Sequence, residues 1–370
     1  MGYTGLYIHI PFCVKKCDYC DFVSFSGREH EFEAYIGALE RELSLYAGAA
    51  ADTVFIGGGT PSVLPPALIS RLCRCVRDRI ELAADTEWSI EVNPGTVSEE
   101  KIDAMLEGGI NRVSVGVQSF CDKELRAAGR IHSAQTAYDT VLKLHEAGFD
   151  NISIDLMESL PLQTPESLKK TLETAVSLPL RHISVYSLII EDGTPLKEKY
   201  ENGVYREPDE DTDRELYRYT AEFLCSRGLE RYEISNYAQP GFGSRHNIRY
   251  WECLPYIGAG LAAHSYTGSV RYSNTSELEE YIKGNYRSGE IEQLSENDRI
   301  SEFMMLGLRM IKGVSFEEFG RRFGCDLRAM FGRELERLEG LGLIVTDGGR
   351  CRLTERGLDV ANSVMCEFML

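Results

Sequence analysis

Cys13-Val-Lys-Lys-Cys17-Asp-Tyr-Cys20 places three thiols within eight residues, on a loop that directly follows a short apolar strand, Gly5–Ile10. Loop backbone can curl so that the three sulfurs converge on one metal centre. A structural zinc ion takes four ligands, and the fourth would have to be His30 or Asp21. An iron–sulfur cube held by three cysteines instead has one iron open to an exogenous ligand. That iron can chelate the amino and carboxylate groups of S-adenosylmethionine and pass an electron into its C–S bond. The product is a 5′-deoxyadenosyl radical, which abstracts hydrogen from unreactive carbon. Three buried core thiols are the remaining account, and a loop after a strand is a poor place for them.

Further polar residues stand where apolar runs end. Gly57-Gly58-Gly59-Thr60-Pro61 follows Thr53–Ile56, and glycines there let backbone approach a ligand closely, although such a run also suits a tight turn. Glu91 ends the run Trp88–Val92, a position from which a carboxylate can accept ribose hydroxyl bonds. Gln118 ends Arg112–Val117, Arg130 follows it, and Asp155 ends Asn151–Leu156. An arginine at such a place offers a charge-assisted clamp for a carboxylate.

These positions need a scaffold, and the pattern supplies one. Six strand-like stretches, the last His182–Leu188, are each separated from the next by a helical stretch: Glu31–Tyr46, Pro65–Arg79, Ser98–Glu107, Ser133–Ala147 and Pro165–Ser177. Such alternation predicts a parallel sheet with right-handed crossovers, and the Val- and Ile-rich strands predict cover on both faces. An open doubly wound sheet and a barrel both fit, and either binds ligands at the carboxyl ends of its strands. After about residue 200 the rhythm changes. Asp209–Arg227 reads as a charged helix, Glu230–Ile234 as a strand, and Pro240–Gly268 as a segment rich in Gly, aromatics and His. Helical stretches Ser295–Ile311, Phe316–Phe323 and Leu327–Leu341, then a hairpin over Leu343–Leu353, form a winged-helix-like module.

Composition excludes several classes. The 370 residues carry a net charge of −18, which argues against non-specific nucleic-acid binding and anionic membrane surfaces. Between Gly313 and Gly357 eight Arg meet eight acidic residues, so the winged module lacks the basic face of a DNA reader. Met1–Ile10 lacks a signal-peptide pattern, and eleven cysteines without an export signal point to a reducing, cytoplasmic setting. Cys73 and Cys75, two apart on a helix, face different ways and chelate poorly.

CxxxCxxC after a first strand resembles the radical S-adenosylmethionine signature. The flank Leu6-Tyr7-Ile8-His9-Ile10-Pro11-Phe12-Cys13 is similar to that of the oxygen-independent coproporphyrinogen III oxidase family. That resemblance implies an α/β fold, a partial (β/α)6 barrel with a C-terminal helical winged-helix-like domain. It implies a [4Fe-4S] cluster on Cys13, Cys17 and Cys20, and S-adenosyl-L-methionine held by Tyr7, Tyr19, Gly58, Gly59, Thr60, Glu91, Gln118, Arg130, Asp155 and, by strand register, Ile189. One loop departs from the family pattern: Ser159 and Leu162 stand where glycines are expected, which puts the loop geometry in question.

The chain is most similar to the heme chaperone branch. Its oxidase relatives carry a further cysteine two positions after the third, where this chain has Phe22, and an extension before the first strand, where six residues precede Tyr7. His246-Asn247-Ile248-Arg249-Tyr250-Trp251 matches that branch's HNxxYW motif, which implies heme contact through His246, Asn247, Tyr250 and Trp251, with the imidazole as axial ligand and the rings on the macrocycle. The expected division is residues 1–200 for the barrel with its cluster and cofactor sites, 201–290 for a linker and heme-contact region, and 291–370 for the winged domain. The implied function is heme binding and transfer to heme-accepting respiratory proteins. Coproporphyrinogen III decarboxylation and another radical modification of heme remain alternatives. No catalytic residue is assigned, and a homodimer and peripheral membrane contact through acceptors stay open. His9 reads as a supporting group beside the cluster loop; His264, on the Gly-rich segment Gly258–Ser265, reads as a core or hydrogen-bonded histidine, with reach to the cofactor as the alternative.

Overall fold

The computed structural model describes residues 2–370; Met1, within the first expected segment, lies outside them. The six strands are β1 (Thr4–Ile10), β2 (Ala50–Gly58), β3 (Glu81–Val92), β4 (Arg112–Gln118), β5 (Asn151–Glu158) and β6 (His182–Ser187). Between them run α1 (Phe32–Leu43), α2 (Pro66–Arg79), α3 (Glu99–Gly108), α4 (Asp122–Ala127), α5 (Ala134–Glu146) and α6 (Pro165–Val176). The strands pair in parallel in the order 1-2-3-4-5-6. That order contains no reversal, so every crossover places its helix on the same side and the sheet curls. A doubly wound sheet would need a switch point, and the expectation of a partial barrel therefore holds.

Packing explains the order. Ile8, Val54, Val113, Val115, Ile152, Ile154 and Ile183 are wholly buried, and Tyr35, Ile36, Leu39 and Leu43 of α1 belong to the same core. Ser98, Ser133 and Thr164 cap α3, α5 and α6 by accepting backbone N–H bonds, which fixes where each helix leaves the strand before it.

The second half adds α7 (Pro195–Glu201), α8 (Glu210–Ser226), β7 (Glu230–Glu233), β8 (Asn236–Ala238), α9 (Arg245–Trp251), β9 (Tyr256–Ala259), β10 (His264–Tyr266), β11 (Val270–Asn274), α10 (Leu278–Lys283) and β12 (Arg287–Gln293). These strands extend both edges of the sheet, giving the order β12-β11-β10-β9-β1 on one side and β6-β8-β7 on the other. The sequence pattern foresees only β7 among them. Gly258-Ala259-Gly260 is glycine-rich because the chain doubles back there: a Cβ on Gly258 would lie 2.0 Å from the His264 carbonyl oxygen.

The C-terminal part comprises α11 (Glu296–Arg309), β13 (Val314–Ser315), α12 (Phe316–Phe323), α13 (Leu327–Gly340), β14 (Ile344–Asp347), β15 (Arg350–Leu353), α14 (Glu355–Asp359) and α15 (Ala361–Cys366). It has its own core of Phe303, Met304, Phe319, Phe331, Leu335, Ile344 and Phe368. Its sheet has three strands, β13 joining the hairpin. Arg309 ties it to the barrel through Glu233 at 3.1 Å. Among the described residues no helix is long and apolar enough to cross a membrane.

Candidate functional site

The cysteine loop runs from the end of β1 towards α1 and is pinned at several points. Cys13 N donates to Phe25 O at 2.9 Å, Asp18 N to Ala128 O at 3.2 Å and Leu196 N to Asp18 O at 2.8 Å. Lys199 pairs with the Asp18 carboxylate at 2.6 Å. A Cβ on Gly129 would meet Asp18 Oδ1 at 2.3 Å, so that close approach requires glycine. Cys13, Cys17 and Cys20 are free, half-buried thiols, and all three line one cavity of about 450 Å³.

The donor set fits an iron–sulfur cluster. Burial pushes the Cys13 and Cys20 thiols up, a cost that metal ligation removes by taking the thiolate. Thr60 Oγ1 donates to Cys13 Sγ at 3.6 Å and Arg130 Nη1 to Cys17 Sγ at 3.1 Å, bonds that favour negative sulfur. Among the described residues no three His, Cys, Asp or Glu side chains group tightly enough for a single ion. A cube sets each thiolate on a different iron and tolerates wider spacing. His9 braces the loop from beneath, its Nδ1 bonded to Tyr7 Oη and its Nε2 to Val23 O, both at 3.0 Å.

Residues along β2 to β6 and just beyond their carboxyl ends form the remaining wall: Gly58, Gly59, Thr60, Glu91, Asn93, Arg112, Ser114, Gly116, Gln118, Asp155, Ser184 and Tyr186 all line the cavity, as do Tyr7 and Tyr19. Gly59 N donates to Ile10 O at 2.9 Å and Thr60 N to Phe12 O at 2.7 Å, while Gly58 N donates to Glu91 Oε2 at 3.1 Å. A Cβ on Gly59 would meet Phe12 backbone at 2.7 Å, so this crossing also demands glycine. With these N–H groups spent, a bound ammonium would be received by carbonyl oxygens, as its donors require.

The floor holds two carboxyls and two guanidiniums. Burial first, and the Asp155 charge second, push Glu91 up to about 8. Burial also raises Asp155, against hydrogen bonds from Ser184 and Ser114. Arg130 donates to Asn93 Oδ1 at 2.8 Å and to the Gly116 carbonyl, and its Nε is buried without a partner. Arg112 is 2% exposed, and its Nε is likewise unpaired. Buried polar atoms left unpaired beside a cavity suit a bound acceptor such as a carboxylate. The sequence reading missed Arg112, Asn93, Ser184 and Tyr186; a charge heading the apolar run Val113–Val117 is the signal that could have found Arg112.

The doubtful loop keeps the backbone that glycines would adopt. Ser159 has φ 59° and Leu162 φ 67°, both left-handed. Ser159 Oγ donates to Asp213 Oδ1 at 2.6 Å and Gln163 Nε2 to Met157 O at 3.1 Å, so side-chain bonds hold the strained turn in place.

Four expectations need correction. Ile189 lies beyond the end of β6, is 69% exposed and does not line the cavity; strand register stops before it. His246 was expected to offer its imidazole to heme iron, and it is 1% exposed. Its Nδ1 is bonded to Thr53 Oγ1 at 3.0 Å and its Nε2 to Tyr250 Oη at 2.9 Å, and its ring stacks on Phe55. Burial, then Arg249 and Arg112, push its pKa down to about 3, so it is neutral and fully engaged. His246, Asn247 and Tyr250 do line the cavity. Trp251 does not; it turns to the winged domain, where Arg309 lies over its ring at 4.3 Å. His264, expected in the core or hydrogen-bonded, is exposed.

A curled parallel sheet with three cysteines on the loop after its first strand defines the radical SAM architecture, and the Radical SAM superfamily model matches residues 7–175. Cofactors of that superfamily are a [4Fe-4S] cluster and S-adenosyl-L-methionine. The HemN C-terminal domain model matches residues 294–360. The chain is 37% identical to the heme chaperone HemW of Lactococcus lactis, covering 99% of this chain and 97% of that protein. It is 35% identical to HemW of Bacillus subtilis over 98% of each. The solved structure of coproporphyrinogen III oxidase (HemN) from Escherichia coli, a radical SAM enzyme, superposes with a TM-score of 0.86 at 26% identity, covering 99% of this chain and 90% of that one. The chain belongs to the HemN-like family of radical SAM proteins, the family of the HemW heme chaperones.

Proposed function

We propose that this protein is a heme chaperone that binds heme and transfers it to acceptor proteins, respiratory heme proteins among them. The observation that carries this is full-length identity of 31–37% to proteins named as heme chaperones. Phe22, 62% exposed, stands where the oxidase branch has its further cysteine and supports the same choice. In this reading Cys13, Cys17 and Cys20 hold the cluster. Gly58, Gly59 and Thr60 receive the amino group of S-adenosylmethionine, Arg130 its carboxylate, and Glu91 its ribose. Tyr7, Tyr19, Gln118 and Asp155 close the walls. When bound, the cluster supplies an open iron and one electron. His246 positions Tyr250 in the cavity wall. Eleven free thiols suit the reducing cytoplasm, and contact with a membrane would come through the acceptors. A homodimer would show as a doubled mass in light scattering.

The HemN likeness favours a second reading, radical decarboxylation of coproporphyrinogen III. Anaerobic assay of the reconstituted protein separates the two. Heme transfer to an apo-acceptor without coproporphyrinogen consumption is expected, and robust turnover would overturn the chaperone reading.

A further inference from the structure

A second cavity, about 400 Å³, lies beside the first, within the range of cofactor sites. Tyr7, Phe22 and Tyr250 line both cavities, so the two share a wall next to the cluster loop. The rest of its lining is His9, Asp21, Val23, Tyr256, Ala262, Ala263 and His264: aromatic and small apolar surface, one carboxylate and two imidazoles. His9 has both ring nitrogens bonded. His264 is exposed, and its imidazole has no hydrogen-bond partner among the described residues.

The backbone that carries His264 is held unusually firmly. Gly260 N donates to Glu42 Oε2 at 2.8 Å and Leu261 N to Tyr35 Oη at 2.9 Å. Ala262 N donates to Thr275 O at 2.9 Å and Asn274 N to Ala263 O at 2.9 Å. Ala262 adopts φ 54°, a left-handed conformation that disfavours an alanine. A strained turn anchored from below, with an unpaired imidazole above an aromatic groove, has the rigidity that a ligand site needs.

We infer that this groove receives the heme macrocycle and that His264 supplies the axial ligand to its iron. The inference rests on the chaperone reading above and assigns its heme site. Of the seven histidines, His9, His132, His182 and His246 have a ring nitrogen bonded within the protein. His30 and His145 are exposed and line neither cavity. His264 alone joins an unpaired imidazole to an apolar cavity, the two things that an iron porphyrin needs. Phe22, Val23 and Tyr256 offer ring and aliphatic contact, and the exposed side leaves a propionate edge in water and an exit towards an acceptor.

The test is titration of the full reconstituted chain with ferric protoporphyrin IX, following the Soret band while iron and sulfide are assayed in parallel. His264→Ala should lose the histidine-ligated spectrum and weaken binding about tenfold or more, equivalent to at least ~1.4 kcal/mol, with the cluster content unchanged. His264→Cys should bind with a thiolate-ligated spectrum, a change that a merely structural residue would not give. Wild-type spectrum and affinity in His264→Ala would overturn this assignment and leave the chaperone reading standing. A wild-type chain that binds no heme would overturn both.

Discussion

Replacing Glu91 by Gln tests whether the floor of the main cavity carries a proton at neutral pH. Glu91 is buried among strand ends, accepts from Gly58 N, and has its carboxyl pushed up to about 8 from an ordinary 4.5. A carboxyl whose pKa is higher in the folded chain holds its proton more tightly there. Its contribution favours folding at low pH, declines as pH rises from 4.5, and is a full penalty above about 8. At ~1.4 kcal/mol per pH unit that penalty reaches about 5 kcal/mol as an upper limit; hydration through the cavity mouth reduces it to roughly 2–4 kcal/mol. Glutamine keeps the shape and the acceptor oxygen and cannot ionise. Urea unfolding of the ligand-free wild type and Glu91→Gln, under anaerobic reduction at about pH 6 and about pH 9, isolates the effect, because the other titrations largely cancel in the difference. Only the rise from about pH 6 to about 8 lies between the two conditions, so the variant should gain on the wild type by roughly 1–2 kcal/mol. Parallel profiles would refute the reasoning, since Glu91 would then be an ordinary solvated carboxylate.

Changing any of Cys13, Cys17 or Cys20 to Ala should abolish the roughly four iron and four sulfide of a cubane, whereas Cys73→Ala should retain them, Cys73 being buried under Gly108; iron and labile-sulfide assay decides. Leu162→Gly should stabilise the chain by up to ~1 kcal/mol, relief of its left-handed backbone outweighing the entropy of glycine. Ser159→Gly should gain less, because it gives up the Asp213 bond; denaturant midpoints rank the two. His246→Ala strands the Thr53 and Tyr250 hydroxyls in the core and should cost roughly 2–4 kcal/mol, read as a fall in the unfolding midpoint. If the loss appeared only in heme affinity, with stability intact, the buried bonding network would be the wrong account of this histidine.

The barrel was legible because each of its strands is a run of Val and Ile long enough to be buried on both faces, followed by a helix with apolar spacing. The edges were not. β8 and β10 are three residues each and carry no pattern of their own; they exist because β6 and β9 present unpaired backbone to them. α9 escaped for the opposite reason. Its buried residues are His246 and Arg249, the latter paired with Asp52 at 2.5 Å, so the helix turns polar side chains inward and inverts the periodicity by which helices are found.

The same inversion governs the site. Cys13, Cys17 and Cys20 were readable because one loop carries them all, and spacing along a chain is what a sequence displays. Ser114 and Asp155 bond across neighbouring parallel strands at 3.2 Å, and only the register of β4 on β5 brings them together. Histidines show the limit most clearly. A motif names His246, yet an imidazole binds iron only through a nitrogen that nothing else holds, and Thr53 and Tyr250 hold both of its nitrogens. His264 sits in no motif, but the fold leaves its ring unpaired above an apolar groove. Which of the two can ligate a porphyrin is decided by the bonds around each ring. The heme titration of His264→Ala therefore tests a principle as well as a residue: ligand capacity follows from unsatisfied valence in the folded chain, not from the company a residue keeps in sequence.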